Sequence, residues 1–421
     1  MGTRLLNFNR FMSNFSTKLV GGFVPIIVYK YAPTHKMLLA LLTCVIQYVF
    51  SFVLNIILKN QLVKRPQVFL FLRLFPVIIY EVLLLFVDNN PILCVIGIGV
   101  GFSLSYVFKL IPTEVLFAYN NATKKSGTGV QLAISKLIDQ TAMILGTILG
   151  GIALDYWDMK ILIIVSIILY FIGSFPILIQ YFIHRKDTDF NQEYSTYAHM
   201  ALKEQSYDTE YANIVSSKIR HRYCWFYFLQ ESYNAVYILM PLLLFTITGK
   251  FTSSAIAGAL FDGVYGLSCM LIGKLEHKKD ITKLSTICGI LVGIVAILLI
   301  LVKANFIWLF YILISIFAFS YAVAYIFMYN RMLMKSKIVG RNTTCVINKI
   351  NMYFLSTACI VTVGLFAPFS AIFIVAGAMS ITSGIISPHL EENTRRILVD
   401  HLEDNEIKED HKFRILWFKK K

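Results

Sequence analysis

Twelve apolar runs, each about 20 residues long and so long enough to cross a bilayer as a helix, recur from one end of the 421-residue chain to the other. They cover roughly 11–31, 37–58, 67–87, 91–118, 129–153, 160–183, 223–248, 253–273, 284–302, 304–329, 343–367 and 369–388. The chain is 57% hydrophobic and only 15% charged, with a mean hydropathy of +0.67, whereas soluble domains carry roughly 25% charged residues. The pattern predicts an all-α polytopic membrane protein with twelve transmembrane helices.

The net charge of +15 could suggest a nucleic-acid partner, but its placement argues against one. With the N-terminus inside, the inward segments hold 29 of the 39 Lys and Arg residues, and the outward loops hold five (Lys30, Lys36, Lys160, Lys250, Lys303). That is the positive-inside pattern, and it predicts a plasma-membrane protein with both termini cytoplasmic. The cysteines fall in or beside apolar runs with no CxxC pair, so they read as small buried hydrophobes rather than disulfides or metal ligands.

Against this apolar background, the charges inside the spans stand out. Lys18, Lys109, Glu114, Lys136, Asp139, Glu231, Asp262 and Lys349 all lie within or at the edge of a run. A charge at bilayer depth costs roughly 2.5–3.5 kcal/mol on insertion scales, so each should face protein or a watery cavity. For each, a structural ion pair or hydrogen bond is the alternative to a functional role. Glu81 falls near the middle of the third span, while Arg73 and Asp88 read as interfacial. Lys136 and Asp139, three residues apart, share a helix face, so Lys136 is expected to hold Asp139 ionised. Further along the same span, Ala142, Gly146, Gly150 and the adjacent Gly151 form a small-xxx-small seam suited to close helix packing.

The chain divides into six spans (1–183), a hydrophilic segment (184–222), six more spans (223–388) and a charged tail (389–421). The middle segment reads as a cytoplasmic linker, either a solvated tether or a regulatory element. The tail ends FRILWFKKK, which suits either an interfacial anchor or solvent. Neither Gly249-Lys250 nor Gly273-Lys274 has the earlier glycine of a phosphate loop. HExxH and GxSxG patterns are missing too, so no cofactor, metal or enzymatic activity is expected.

The two halves resemble each other. An offset of 216 aligns Ser16 with Ser232, Val20 with Val236 and Pro25 with Pro241, and an offset of 213 aligns Ile134-Ser135-Lys136 with Ile347-Asn348-Lys349. Duplicated bundles with a site between them near the midplane are a standard transporter plan. The whole chain resembles the major facilitator superfamily. That family's fifth-helix motif, GxxxGPxxGG, is matched here by Ala142, Gly146, Thr147, Gly150 and Gly151, which keeps three glycines and loses the first glycine and the proline. The family's loop between helices two and three, GxxxD(R/K)xG(R/K)(R/K), keeps only its basic end (Lys64, Arg65), with Asn55 and Lys59 at the glycine and aspartate positions. The second-half copy has Gly273, His277 and Lys278.

The resemblance implies two pseudo-symmetric six-helix bundles that rock about a cavity lined by helices 1, 4, 7 and 10 and flanked by 5, 8 and 11. The intramembrane charges sort onto those helices, with Glu81 the exception. The expected function is therefore monomeric secondary transport of a small solute by alternating access, coupled to protons, with export favoured by the fifth-helix motif. A non-transporting sensor or a lipid flippase on the same fold is the alternative. A carboxylate in a low-dielectric cavity can load and release a proton between states, which makes Glu231 and Asp262 the coupling candidates. Lys18, Lys109 and Lys349 either bind an anionic group of the substrate or pair with these acids.

Overall fold

A computed structural model describes residues 3–122, 128–184, 224–276, 282–338 and 342–404. Residues 185–223, 277–281 and 405–421 lie outside the described residues, as do the side chains of Glu114 and Lys136. Every apolar run forms a helix or two successive helical pieces, labelled α1 to α12 in chain order. The first half comprises α1 (Thr3–Val20 continued by Val24–Tyr31), α2 (Lys36–Lys64), α3 (Pro66–Leu72 and Leu74–Leu83), α4 (Pro91–Ala122), α5 (Thr128–Tyr156) and α6 (Met159–His184). The second comprises α7 (224–230 and Tyr233–Thr248), α8 (Phe251–Glu276), α9 (Thr282–Leu298), α10 (Ile307–Ile338), α11 (Asn342–Phe366) and α12 (Phe369–Asp404). Among the described residues, eleven of these are long and apolar enough to cross a membrane, and α7, divided by a turn, is the twelfth apolar helix. An all-helical answer follows from the solvent, since lipid offers no hydrogen-bond partner to a backbone amide.

The interruptions have local causes. In α1, Gly21–Phe23 tighten into a 3-10 turn just before Pro25, where two glycines favour no particular helix type and proline supplies no N–H. In α3, the turn at Arg73 precedes Pro76, whose ring would clash with a helical carbonyl at residue 72. In α7, the amide of Asn234 donates to the Glu231 carbonyl at 3.1 Å and so competes with the helical ladder at Glu231 and Ser232.

Polar groups are buried and apolar ones face outward, the reverse of a soluble bundle. Glu81 and Asp262 are 0% and 2% exposed, while Ile57, Leu93 and Leu267 are each more than 60% exposed on the lipid-facing side. The halves meet along α2 against α11 and α5 against α8. Within the α5 seam, a Cβ on Gly146 would meet the Phe15 carbonyl of α1, and one on Gly150 would meet the Leu19 carbonyl. Gly151 faces the other way, against Ala255 of α8. Ala142 is fully buried in the same helix. Helix α5 is therefore pressed between its own half and the opposite one.

One expectation is corrected. Arg73 is buried rather than interfacial, because the break in α3 turns its guanidinium inward onto Ser105, Thr17 and the Tyr170 ring. Helix α12 runs on to Asp404, through Pro388, and so carries the first residues of the charged tail.

Candidate functional site

A cavity of about 410 Å³ lies between the halves. Helix α1 presents Asn14, Thr17, Lys18, Gly21 and Gly22 at three- and four-residue spacing, and α4 presents Phe102, Tyr106, Lys109 and Leu110. The second half answers with Glu231, Asn234, Tyr237 and Pro241 on α7, Asp262 on α8, Tyr321 and Tyr325 on α10, and Lys349 and Tyr353 on α11.

Three charged clusters organise the walls. In the first, Lys18 Nζ donates to the Tyr237 hydroxyl at 2.6 Å, which donates to Asp262 Oδ1 at 3.0 Å, and Asp262 Oδ2 is 3.4 Å from the same ammonium. This cluster spans the two halves. In the second, Lys349 Nζ lies 3.1 Å from Glu231 Oε1 and 3.9 Å from the Tyr325 ring centroid, and Asn234 Nδ2 donates to Glu231 Oε2 at 2.7 Å. Both lysine–carboxylate approaches are charge contacts rather than aligned hydrogen bonds. The third cluster sits behind the cavity wall in the first half. Arg10 clasps Asp139 through both carboxylate oxygens, Asn14 Nδ2 donates to Asp139 Oδ1 at 2.8 Å, and Lys109 donates to Asn14 Oδ1.

Thus Lys18, Lys109, Glu231, Asp262 and Lys349 come together on one cavity, and Asp139 stands one residue behind it. The side chains of Glu114 and Lys136 lie outside the described residues. Among the described residues, Asp139 is held by Arg10 and Asn14, while the expected pairing with Lys136 falls on a side chain outside them. Arg10 precedes the apolar run, so hydropathy alone does not mark it. Glu81 is not on the cavity. It is buried against α6, where Ser166 Oγ donates to Oε1 at 2.8 Å. Tyr237 is uncharged and so does not stand out among the span residues, although the polar spacing Gln230, Asn234, Tyr237, Pro241 marks it as a member of the α7 cavity face.

The rest of the wall is aromatic. Tyr106, Tyr48 and Tyr353 join hydroxyls across the halves, with Tyr353 3.1 Å from Tyr106 and 3.3 Å from Tyr48. Tyr265 and Tyr321 stack at 5.4 Å. A further contact between the halves is made by Asp155, at the end of α5. It accepts from the Phe251 and Thr252 amides at 3.0 and 2.7 Å and so caps α8. Phe23 packs edge-on against Phe251 beside it.

The family profile described as Major Facilitator Superfamily matches residues 6–346. The chain belongs to the major facilitator superfamily. Among curated protein sequences nothing matches. Solved structures of similar fold include a bacterial homologue of the iron transporter ferroportin in its inward-facing state, at TM-score 0.62 and 10% identity over 92% of this chain and 98% of that one. The xylose transporter from E. coli in an inward open conformation gives 0.63 and 10% over 92% and 95%. A D-xylose-proton symporter gives 0.57 and 10% over 91% and 96%. At such identities the likeness is one of fold. The major facilitator fold accounts for the sandwiched position of α5 and for a cavity that draws its walls from both halves.

Proposed function

We propose that this major facilitator protein is a secondary active transporter that moves a small organic solute through the cavity by alternating access, driven by protons. The observation that carries the reading is the Lys18–Tyr237–Asp262 cluster, which joins the halves across the cavity. Protonating Asp262 removes the attraction that ties Lys18 to the opposite half, so proton binding and rocking become one event. Glu231, facing Lys349, is the second coupling carboxylate. Both acids already face an ammonium, and the described residues contain no cluster of three or more metal-ligating side chains, so the cavity suits an organic solute better than a metal ion. The glycine pattern of α5 favours export, and the distribution of Lys and Arg favours a plasma-membrane location with both termini cytoplasmic. The packed end at Asp155 and Phe251 accords with an inward-facing state.

Reconstitution into proteoliposomes tests the reading. A pH gradient imposed on the wild type should drive solute flux, and Glu231→Gln and Asp262→Asn should each abolish it while counterflow exchange persists in at least one. Unchanged gradient-driven flux in both variants rejects the coupling role. Absent counterflow in the wild type rejects transport itself and favours a sensor.

A further inference from the structure

We propose that the cavity selects a small organic anion, a carboxylate or phosphate monoester on a flat apolar body, and that Lys109 is the residue that anchors its charge. This rests on the cavity being the ligand site.

The argument begins with charge. Among the described residues, the lining includes three ammonium groups (Lys18, Lys109, Lys349) and two carboxylates (Glu231, Asp262). Lys18 faces Asp262 and Lys349 faces Glu231. Lys109 has no carboxylate within ion-pair reach among the described residues, and its one hydrogen bond goes to a neutral amide oxygen. The nearest acid, Asp139, is already clasped by Arg10. That clasp fixes Asn14: its Nδ2 donates to Asp139, so its Oδ1 turns to Lys109. The amide thereby holds the ammonium in place without neutralising it. An ammonium has three donors and Asn14 takes one, which leaves two for a ligand. An uncompensated charge in a largely apolar pocket is costly, and an incoming anion relieves that cost.

The same geometry disfavours a cation. Glu231 and Asp262 are each 2% exposed, and both are engaged by lysine and by a tyrosine or asparagine side chain. Reaching either would break a charge contact. The body of the ligand is indicated by what flanks Lys109. Phe102 and Tyr106 lie on the same face of α4, and Tyr106 is parallel to Tyr353 of the opposite half with centroids 6.2 Å apart. Ring faces and tyrosine hydroxyls suit a flat group with a few polar edges. The cavity volume of about 410 Å³ falls in the range of small-molecule sites.

The test is ligand binding to the purified full-length protein, read by thermal unfolding shift, and it does not depend on transport. The probes are benzoate, phenyl phosphate, benzyl alcohol and benzylammonium. The wild type should be stabilised by benzoate or phenyl phosphate, the stronger of the two identifying the anion type, and not by the alcohol or the ammonium. Lys109→Gln should weaken that binding by about tenfold or more, the loss expected for one charge-assisted hydrogen bond. Lys109→Arg should retain most of it. The ranking of the four probes on the wild type keeps the proposal falsifiable if Lys109→Gln does not fold. Stabilisation by benzylammonium equal to that by the anions overturns it. So does an unchanged anion affinity in folded Lys109→Gln, or no anion binding at millimolar concentration. Anion binding without counterflow rejects the carrier reading and leaves this assignment standing, whereas counterflow of an uncharged solute with no anion binding does the opposite.

Discussion

Lys18 and Asp262 lie 3.4 Å apart on opposite halves of the protein, with the Tyr237 hydroxyl bonded to both. One residue comes from the first span and the other from the eighth, so the pair reports directly on how the halves sit together. It also holds two charges in a wall that would expel either alone.

Removing one member of this pair strands the other. Lys18→Gln and Asp262→Asn should each destabilise the protein by about 1–3 kcal/mol, less than a fully buried pair because the Lys18 side chain remains 20% exposed. The double variant should lose less than the sum of the two, which thermal unfolding of all four proteins measures as a cycle. Strictly additive losses would show that the charges do not interact.

The carboxylate of Asp155 caps α8 from the other half and so ties the end of α5 to the start of α8. Asp155→Ala removes a helix cap worth about 1 kcal/mol, and hence roughly a fivefold shift in a two-state equilibrium. A single cysteine introduced at Ser254, on the cavity wall, should then react faster with a polar thiol reagent added from that side. An unaltered labelling rate means the cap contributes nothing to closure.

The α5 seam makes a contrasting pair. A methyl at Gly150 would meet the Leu19 backbone carbonyl, which cannot yield without moving α1, whereas a methyl at Gly263 would sit 3.6 Å from the flexible end of Ile144. Gly150→Ala should therefore lower the thermal midpoint by several degrees. Gly263→Ala should leave it unchanged or raise it, because alanine is favoured in helices by about 1 kcal/mol. The reverse order would be inconsistent with this packing.

Arg73 should not tolerate its usual substitute. Its Nε and one terminal nitrogen reach Ser105 and Thr17 at 3.1 and 2.9 Å while its plane lies 4.9 Å from the Tyr170 ring centroid. A lysine has one nitrogen and cannot make all three contacts. Arg73→Lys is expected to cost about 1–3 kcal/mol, measured by thermal unfolding. A wild-type midpoint would mean that the guanidinium geometry is not used.

Much of the architecture was legible in the residues alone. Apolar runs of bilayer length dictate helices because lipid satisfies no backbone group, and the recurrence of twelve such runs, with a shared glycine motif, pointed to the family to which the chain belongs. Even the convergence of Lys18, Lys109, Glu231, Asp262 and Lys349 on one cavity could be anticipated, since a charge at bilayer depth has few other places to go. What the sequence left open was pairing. That Arg10 clasps Asp139, that Lys18 reaches Asp262 more than two hundred residues away, and that Arg73 turns inward depend on helix rotation and crossing. Those are fixed by the close approach of α5 to α1 at Gly146 and Gly150 and by local breaks in α1, α3 and α7. Periodicity names the face a side chain occupies. Only the packed bundle decides which face it meets, because helix rotation is set by close backbone contacts between segments far apart in the chain.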